Sequence, residues 1–338
     1  MSNNSYTPKD ISSLLGVIDT YKRWVNYRDR DERVYEFYHP SEWGKCLRYQ
    51  QYKHYAYLKL IDVSYTEYNS QILRLFDKGH NMHNRWVSYF DECNILRGRW
   101  ECSNKSCFLF NEDGTLINNI NKEKIVDIIK IGKTRIFGEK NPHGVFKPKQ
   151  CICGCQEFKY QEVPVELEDI NMKGHADVII DCSRLLSGQF KGVRSIYNSD
   201  FLPTNGRCVV GDMKTIGSRA WQYQIEKKGP HKHYIIQLIC YIHILDCDYG
   251  VLMYENKDTS ELAWFKVEKN QEWWSIIKWQ AKAMHNMVKN RKLPPPRPDK
   301  KDCYECKNCD FRTICHNSKI WKDPQFHEKR NAFYQQII

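Results

Sequence analysis

Fifteen cysteines in 338 residues, most of them in closely spaced groups, constrain this chain more than any other feature. The count is odd, and Met1-Ser-Asn-Asn-Ser5 lacks the basic-then-apolar pattern of a secretory leader. The chain is therefore expected in the cytoplasm, where thiols stay reduced and a disulfide framework is a poor explanation. Clustered thiols in that setting point to metal binding.

The rest of the composition narrows the class. Hydrophobic residues make up 41% and aromatic residues 13%, which allows a sizeable core and argues against disorder. No run approaches the ~18 apolar residues of a membrane span. Lys and Arg number 52 against 41 Asp and Glu, and the resulting +11 suits a polyanionic partner.

Apolar spacing predicts helices over 10–25, 65–90, 217–246 and 270–291. Strands are expected over 158–165, 176–181 and 207–212, then a hairpin over 249–256 and 261–267, with a last helix over 324–337. Four regions follow: a helical part (1–98), an insertion with two cysteine groups (99–157), an α/β core (158–292) and a cysteine-bearing end (293–338). The last begins at the rigid link Leu293-Pro-Pro-Pro-Arg-Pro298. Helices, strands, a helix and further strands in this order make an α/β or α+β architecture.

Four short segments in this frame carry polar chemistry. They are Gly79-His80-Asn81-Met82-His83 on a helix, Gly174-His175-Ala176-Asp177 opening a strand, Val209-Val210-Gly211-Asp212-Met213-Lys214 on a strand, and Gln237 with Tyr241 on a helix. Asp212 and Lys214 are two apart on a strand and share a face. Gln237 and Tyr241 are four apart on a helix and share a face. Asp177 and Asp212 at adjacent strand ends can hold a hard divalent cation through oxygen. Lys214 can then position or activate a water, or stabilise charge growing on a phosphate.

This set resembles the PD-(D/E)XK nuclease superfamily, in particular its RecB-like exonuclease branch, which includes CRISPR-associated exonucleases and phage relatives. The resemblance implies a restriction-endonuclease-like core, a central mixed sheet flanked by helices. It implies His83, Asp177, Asp212 and the carbonyl of Met213 as ligands of Mg2+ or Mn2+, with His80 and His175 as alternatives to His83. Lys214 would act on the attacking water, and Gln237 and Tyr241 would be supports near DNA. The implied activity is metal-dependent exonucleolytic hydrolysis of DNA, on single-stranded ends, in phage or mobile-element DNA processing, recombination or repair. A non-catalytic DNA-binding or recruitment protein, or a nuclease subunit of a helicase complex, are the rival readings.

The same branch contains iron–sulfur members with one cysteine before the core and C-x2-C-x5-C after it. Cys46, Cys306, Cys309 and Cys315 match, and the resemblance implies a [4Fe–4S] cluster on these thiolates. Cys303 is an additional thiol, and a zinc ion on the four C-terminal cysteines is the competing reading. In the insertion, Cys102 and Cys107 with Cys153 and Cys155 resemble the two knuckles of a zinc ribbon, Cys151 being the alternative to Cys155, so Zn2+ is expected there. Segment 22–58 interleaves Lys22, Arg23, Arg28, Arg30, Arg33, Lys45, Arg48 and Lys53 with Tyr21, Trp24, Tyr27, Tyr35, Phe37, Tyr38, Trp43, Tyr49 and Tyr52. That pattern suits single-stranded DNA, with an ordinary solvated amphipathic face as the equal alternative. The insertion 189–206 is a further candidate border of the channel.

Overall fold

The computed structural model describes residues 8–29, 38–43, 46–57, 68–111, 115, 135–185, 208–289, 304–307 and 309–316. The expected helix at 324–337, the Pro-rich link, Cys303 and the insertion 189–206 lie outside them, as do Arg30, Arg33, Tyr35, Phe37 and Lys45. In chain order the longer helices are α1 (Pro8–Asp29), α2 (Leu47–Tyr57), α3 (Ser70–Glu92), α4 (Lys232–Ile244) and α5 (Gln271–Lys289). The first strands are β1 (Leu96–Cys102), β2 (Ile136–Phe137), β3 (Val145–Phe146), β4 (Phe158–Gln161) and β5 (Val163–Leu167). Then come β6 (Met172–Ala176), β7 (Val178–Ile180), β8 (Val209–Ile216), β9 (Tyr249–Asn256) and β10 (Leu262–Glu268). Among the described residues no helix is long and apolar enough to cross a membrane.

Two compact units result. One holds His39–Gly44 and Met82–Lys278; the other holds Lys45–Asn81 with the flanking chain up to Tyr38 and from Trp279 on.

The first unit is α/β, with a mixed sheet in the order β10-β9-β8-β7-β1-β2, and β3 and β4 also pairing with β1. β8 and β9 run parallel and the other pairs antiparallel. A parallel pair needs a crossover, and α4 lies within it. Every residue of β9 and the first five of β8 are buried, as for strands covered on both faces. β10 alternates and sits at the edge. Trp86 and Phe90, one turn apart on α3, pack on the core formed by Leu96, Val178, Val209, Met213 and Val251. The buried carboxylate of Glu255 on β9 fixes that helix, accepting from Arg85 and from Trp86 Nε1 at 2.7 Å. β5 and β6 form a separate two-stranded ribbon.

Two local features depart from the sequence reading. The helix expected over 217–246 is broken: a wide π turn at Trp221–Ile225 is followed by Gly229 at φ +74° and Pro230, and α4 begins only at Lys232. Proline cannot continue the ladder of the preceding turn, and glycine accepts the left-handed φ that redirects the chain. β1 also crosses the boundary expected at residue 98, pairing with β7 on one side and β4 on the other.

Gly98 in β1 leaves space for the Tyr160 ring, and a Cβ there would overlap it. The hydroxyl of Tyr160 donates to the backbone oxygen of Asp177 at 3.0 Å. Gly98→Ala is expected to lower stability by about 1–3 kcal/mol in urea denaturation, through overpacking. An unchanged midpoint would mean that the ring moves freely.

In the second unit, Phe311 is buried against Tyr49 and Tyr52 of α2, with ring centroids 5.3 and 5.4 Å away. Lys22–Asp77 at 2.6 Å, Arg23 donating to Ser70 at 3.2 Å, and Arg74–Asp19 join α1 to the first turns of α3.

Candidate functional site

β8 carries Asp212 and Lys214 on one face, and the side chain of Asp212 is 0% exposed. Its Oδ1 accepts from Lys214 Nζ at 2.8 Å and from Gln237 Nε2 at 3.1 Å. The same Gln237 amide donates to the hydroxyl of Tyr241 at 3.0 Å, one helical turn on. Asp212 Oδ2 is buried and has no hydrogen-bond partner, and neither has Gln237 Oε1.

Asp177 lies at the bend between β6 and β7. Its Oδ2 accepts from the backbone N–H of Met213 at 2.8 Å and stands 3.7 Å from His83 Nδ1 on α3. His83, Asp177, Met213, Asp212, Lys214, Gln237 and Tyr241 are thus joined by one chain of contacts. His175 is on the β5–β6 ribbon and open to solvent on one side, with its proton affinity lowered by the protein that covers the rest of the ring and by Arg99. His80 belongs to the other unit.

Burial, with Asp177 adding to it, raises the Asp212 carboxyl to about 7 although Lys214 works the other way. Burial opposes charge on Lys214, but Asp212 and Asp177 outweigh it and hold the ammonium above its ordinary range. The amine is therefore a proton-bearing cation, and its Nζ sits 4.8 Å over the Tyr234 ring. Gln237 and Tyr241 are 4% and 3% exposed, so they brace Asp212 from below and do not form a surface for a polymer.

The sequence reading missed Glu162. Its carboxyl is raised to about 7 by the protein packed around it and then by Asp177, with Asp212 adding and Lys214 opposing. It sits one residue before β5, and only the strand register brings it near the others.

The four sulfurs of Cys102, Cys107, Cys151 and Cys153 all lie within 4.8 Å of one another. Cys102 and Cys153 are 3.6 Å apart, Cys107 and Cys151 3.3 Å. Tetrahedral zinc with bonds of about 2.3 Å sets its sulfurs roughly 3.8 Å apart. Cys102 ends β1, and Cys107 opens a 3-10 turn. Cys151 and Cys153 sit on a turn closed by Gly154 N to Cys151 O at 2.9 Å, with Gly154 at φ +82°. That turn sends Cys155 outward, where its thiol donates to Glu157 O at 3.4 Å. The group therefore contains Cys151 in place of Cys155. Burial pushes Cys102 far up and Cys107 to about 12. For Cys153 burial also acts upward, but hydrogen bonds from the Cys155 backbone and Asn104 draw it down to about 7. These four cysteines could hold a metal ion.

In the other unit, Cys46, Cys306, Cys309 and Cys315 are all half-buried. Burial raises Cys309, and nearby Cys46 and Cys315 raise it further. Arg48 Nη1 lies 3.7 Å from Cys315 Sγ.

The basic and aromatic segment 22–58 does not present its side chains as the sequence suggested. Tyr38, Trp43 and Tyr52 are buried and cannot stack on bases. Lys22 is paired with Asp77, and Arg23 donates to Ser70. Tyr21 and Trp24 remain 58% and 54% exposed.

No family model matches this chain, and no curated protein matches it. A solved structure titled "Crystal structure of SSO0001" is similar, at 16% identity and a TM-score of 0.42, over 90% of this chain and 98% of that one.

Proposed function

We propose that the chain is a metal-dependent deoxyribonuclease of the PD-(D/E)XK type, acting on single-stranded DNA or free ends. The observation that carries the reading is Asp212: a fully buried carboxylate with one oxygen held by Lys214 and Gln237 and the other without a partner. A buried carboxylate oxygen left unpaired is costly in an all-protein setting, and a cation removes that cost.

Asp212, Asp177 and His83 would hold the ion, Mg2+ or Mn2+, the imidazole making Mn2+ more competitive than at an all-oxygen site. Such an ion, when bound, polarises a phosphoryl oxygen and makes its water a stronger acid. The protein side chains divide the remaining work. Lys214 stays protonated and offers positive charge where a phosphate gains negative charge. Gln237 fixes Asp212, and Tyr241 fixes Gln237. The Met213 N–H holds Asp177 against β8. The net charge of +11 favours a polyanionic substrate.

Zn2+ on Cys102, Cys107, Cys151 and Cys153 would hold together a segment with little apolar core of its own. A [4Fe–4S] cluster on Cys46, Cys306, Cys309 and Cys315 would join distant parts of the chain in the other unit. Both roles are structural.

The test is hydrolysis of an end-labelled single-stranded oligonucleotide by the full chain with Mn2+ or Mg2+. Shortened products that disappear when EDTA is added are expected. Tight binding of the oligonucleotide with no metal-dependent product would instead indicate a non-catalytic DNA-binding protein.

A further inference from the structure

The β5–β6 ribbon pairs Val163 with Ala176, Pro164 with His175 and Val165 with Gly174. Val163–Ala176 is the last pair of the ribbon, and Glu162 and Asp177 are the residues that flank it in the chain. Paired residues of an antiparallel ribbon stand about 5 Å apart, so the chain enters at Glu162 and leaves at Asp177 side by side. Glu162 also lies near enough to Asp177, Lys214 and Asp212 to be biased by all three charges. Its side chain is exposed, and among the described residues it makes no hydrogen bond or ion pair.

Charge counting gives this placement its meaning. Asp177 and Asp212 against Lys214 leave one negative charge. Adding Glu162 leaves two, which matches one divalent cation. The independent pointer to a cation is the unpartnered Oδ2 of fully buried Asp212. Glu162 is an exposed residue, whereas Asp212 is fully buried.

We infer that Glu162 is a third carboxylate of the divalent-cation site, a positioning residue that holds the ion's water ligands from the solvent side. The inference rests on the reading of Asp177 and Asp212 as a metal site. Carboxylates that accept hydrogen bonds from bound ligands orient them and sharpen affinity, and their loss commonly lowers metal affinity roughly 10–100-fold.

The experiment is Mn2+ binding to the full chain without nucleic acid, followed by the free-ion electron paramagnetic resonance signal. Wild type, Glu162→Gln, Glu162→Asp and Asp212→Asn are compared at equal zinc content and equal far-UV circular dichroism. Glu162→Gln is expected to bind Mn2+ roughly tenfold or more weakly, and Glu162→Asp to recover most of the loss. Asp212→Asn is expected to lose the site. Weakened binding in Asp212→Asn with wild-type binding in Glu162→Gln would overturn the role of Glu162 and leave the metal site standing. Equal losses in Glu162→Gln and Glu162→Asp, with no recovery, would also overturn it. Absence of Mn2+ binding by the wild type would overturn the metal-site reading itself, and this inference with it.

Discussion

Asp212→Asn is expected to reduce Mn2+-dependent cleavage of single-stranded DNA roughly a thousandfold or more, the scale at which loss of a metal's anionic ligand and of aligned electrostatics is felt. Asparagine keeps the shape and can still meet Gln237, so packing beneath β8 is preserved. What disappears is the charge that holds Lys214 in place at 2.8 Å and the buried oxygen that has no protein partner. A pH measurement separates this from misfolding. In the folded protein burial raises the Asp212 carboxyl to about 7, above the ordinary aspartate value of 3.8. A carboxyl raised in this way contributes stability that is fully present below the unfolded pKa and lost as pH rises through the folded one. In metal-free protein this part of the stability should therefore fall between about pH 4 and pH 7, and Glu162 acts in the same direction. The Asp212→Asn variant should show a shallower decline in melting temperature over that window. Full cleavage activity in a folded Asp212→Asn protein would end the account of β8 as the catalytic strand.

The parts of this site that could be read from the amino-acid order are those fixed by a local period. Asp212 and Lys214 share a face because strands alternate, and Gln237 reaches Tyr241 because helices repeat near every fourth residue. The parts that could not be read depend on longer-range geometry. Glu162 comes near Asp177 only because the β5–β6 register pairs their neighbours Val163 and Ala176, which no spacing in the sequence specifies. The helix over 217–246 showed continuous helical patterning, yet Gly229-Pro230 divides it, and a Gly-Pro pair was the available signal. Trp43 and Tyr52 looked like base-stacking rings because they sit among lysines and arginines; tertiary packing buries them instead. Periodicity reports which side chains share a face, but which face meets the core is decided by the partner elements.

The cysteine group gives the second large effect. Cys151→Ser or Cys107→Ser is expected to remove one equivalent of zinc, whereas Cys155→Ser should retain it. The distinction follows from the turn at Gly154, which directs Cys151 and Cys153 inward and Cys155 toward Glu157 O. Without a cation, four thiols crowd against Phe137, Ile152 and Phe158, and burial keeps Cys102 and Cys107 from ionising. Four thiolates gathered on one divalent ion replace that arrangement with strong bonds, and structural zinc sites of this type contribute on the order of 10 kcal/mol to local folding. Because β1 ends at Cys102 and also pairs with β7, loss of the ion should reach the sheet that carries Asp177. The expected result is a fall in melting temperature of roughly 10 °C for Cys107→Ser, taking about 3–5 kcal/mol and 2–4 °C per kcal/mol for a unit of this size. Zinc content by mass spectrometry and thermal unfolding of the three variants decide the matter. Retention of zinc by Cys151→Ser with loss in Cys155→Ser would show that the metal takes Cys155 in place of Cys151 and that the turn rearranges to bind it.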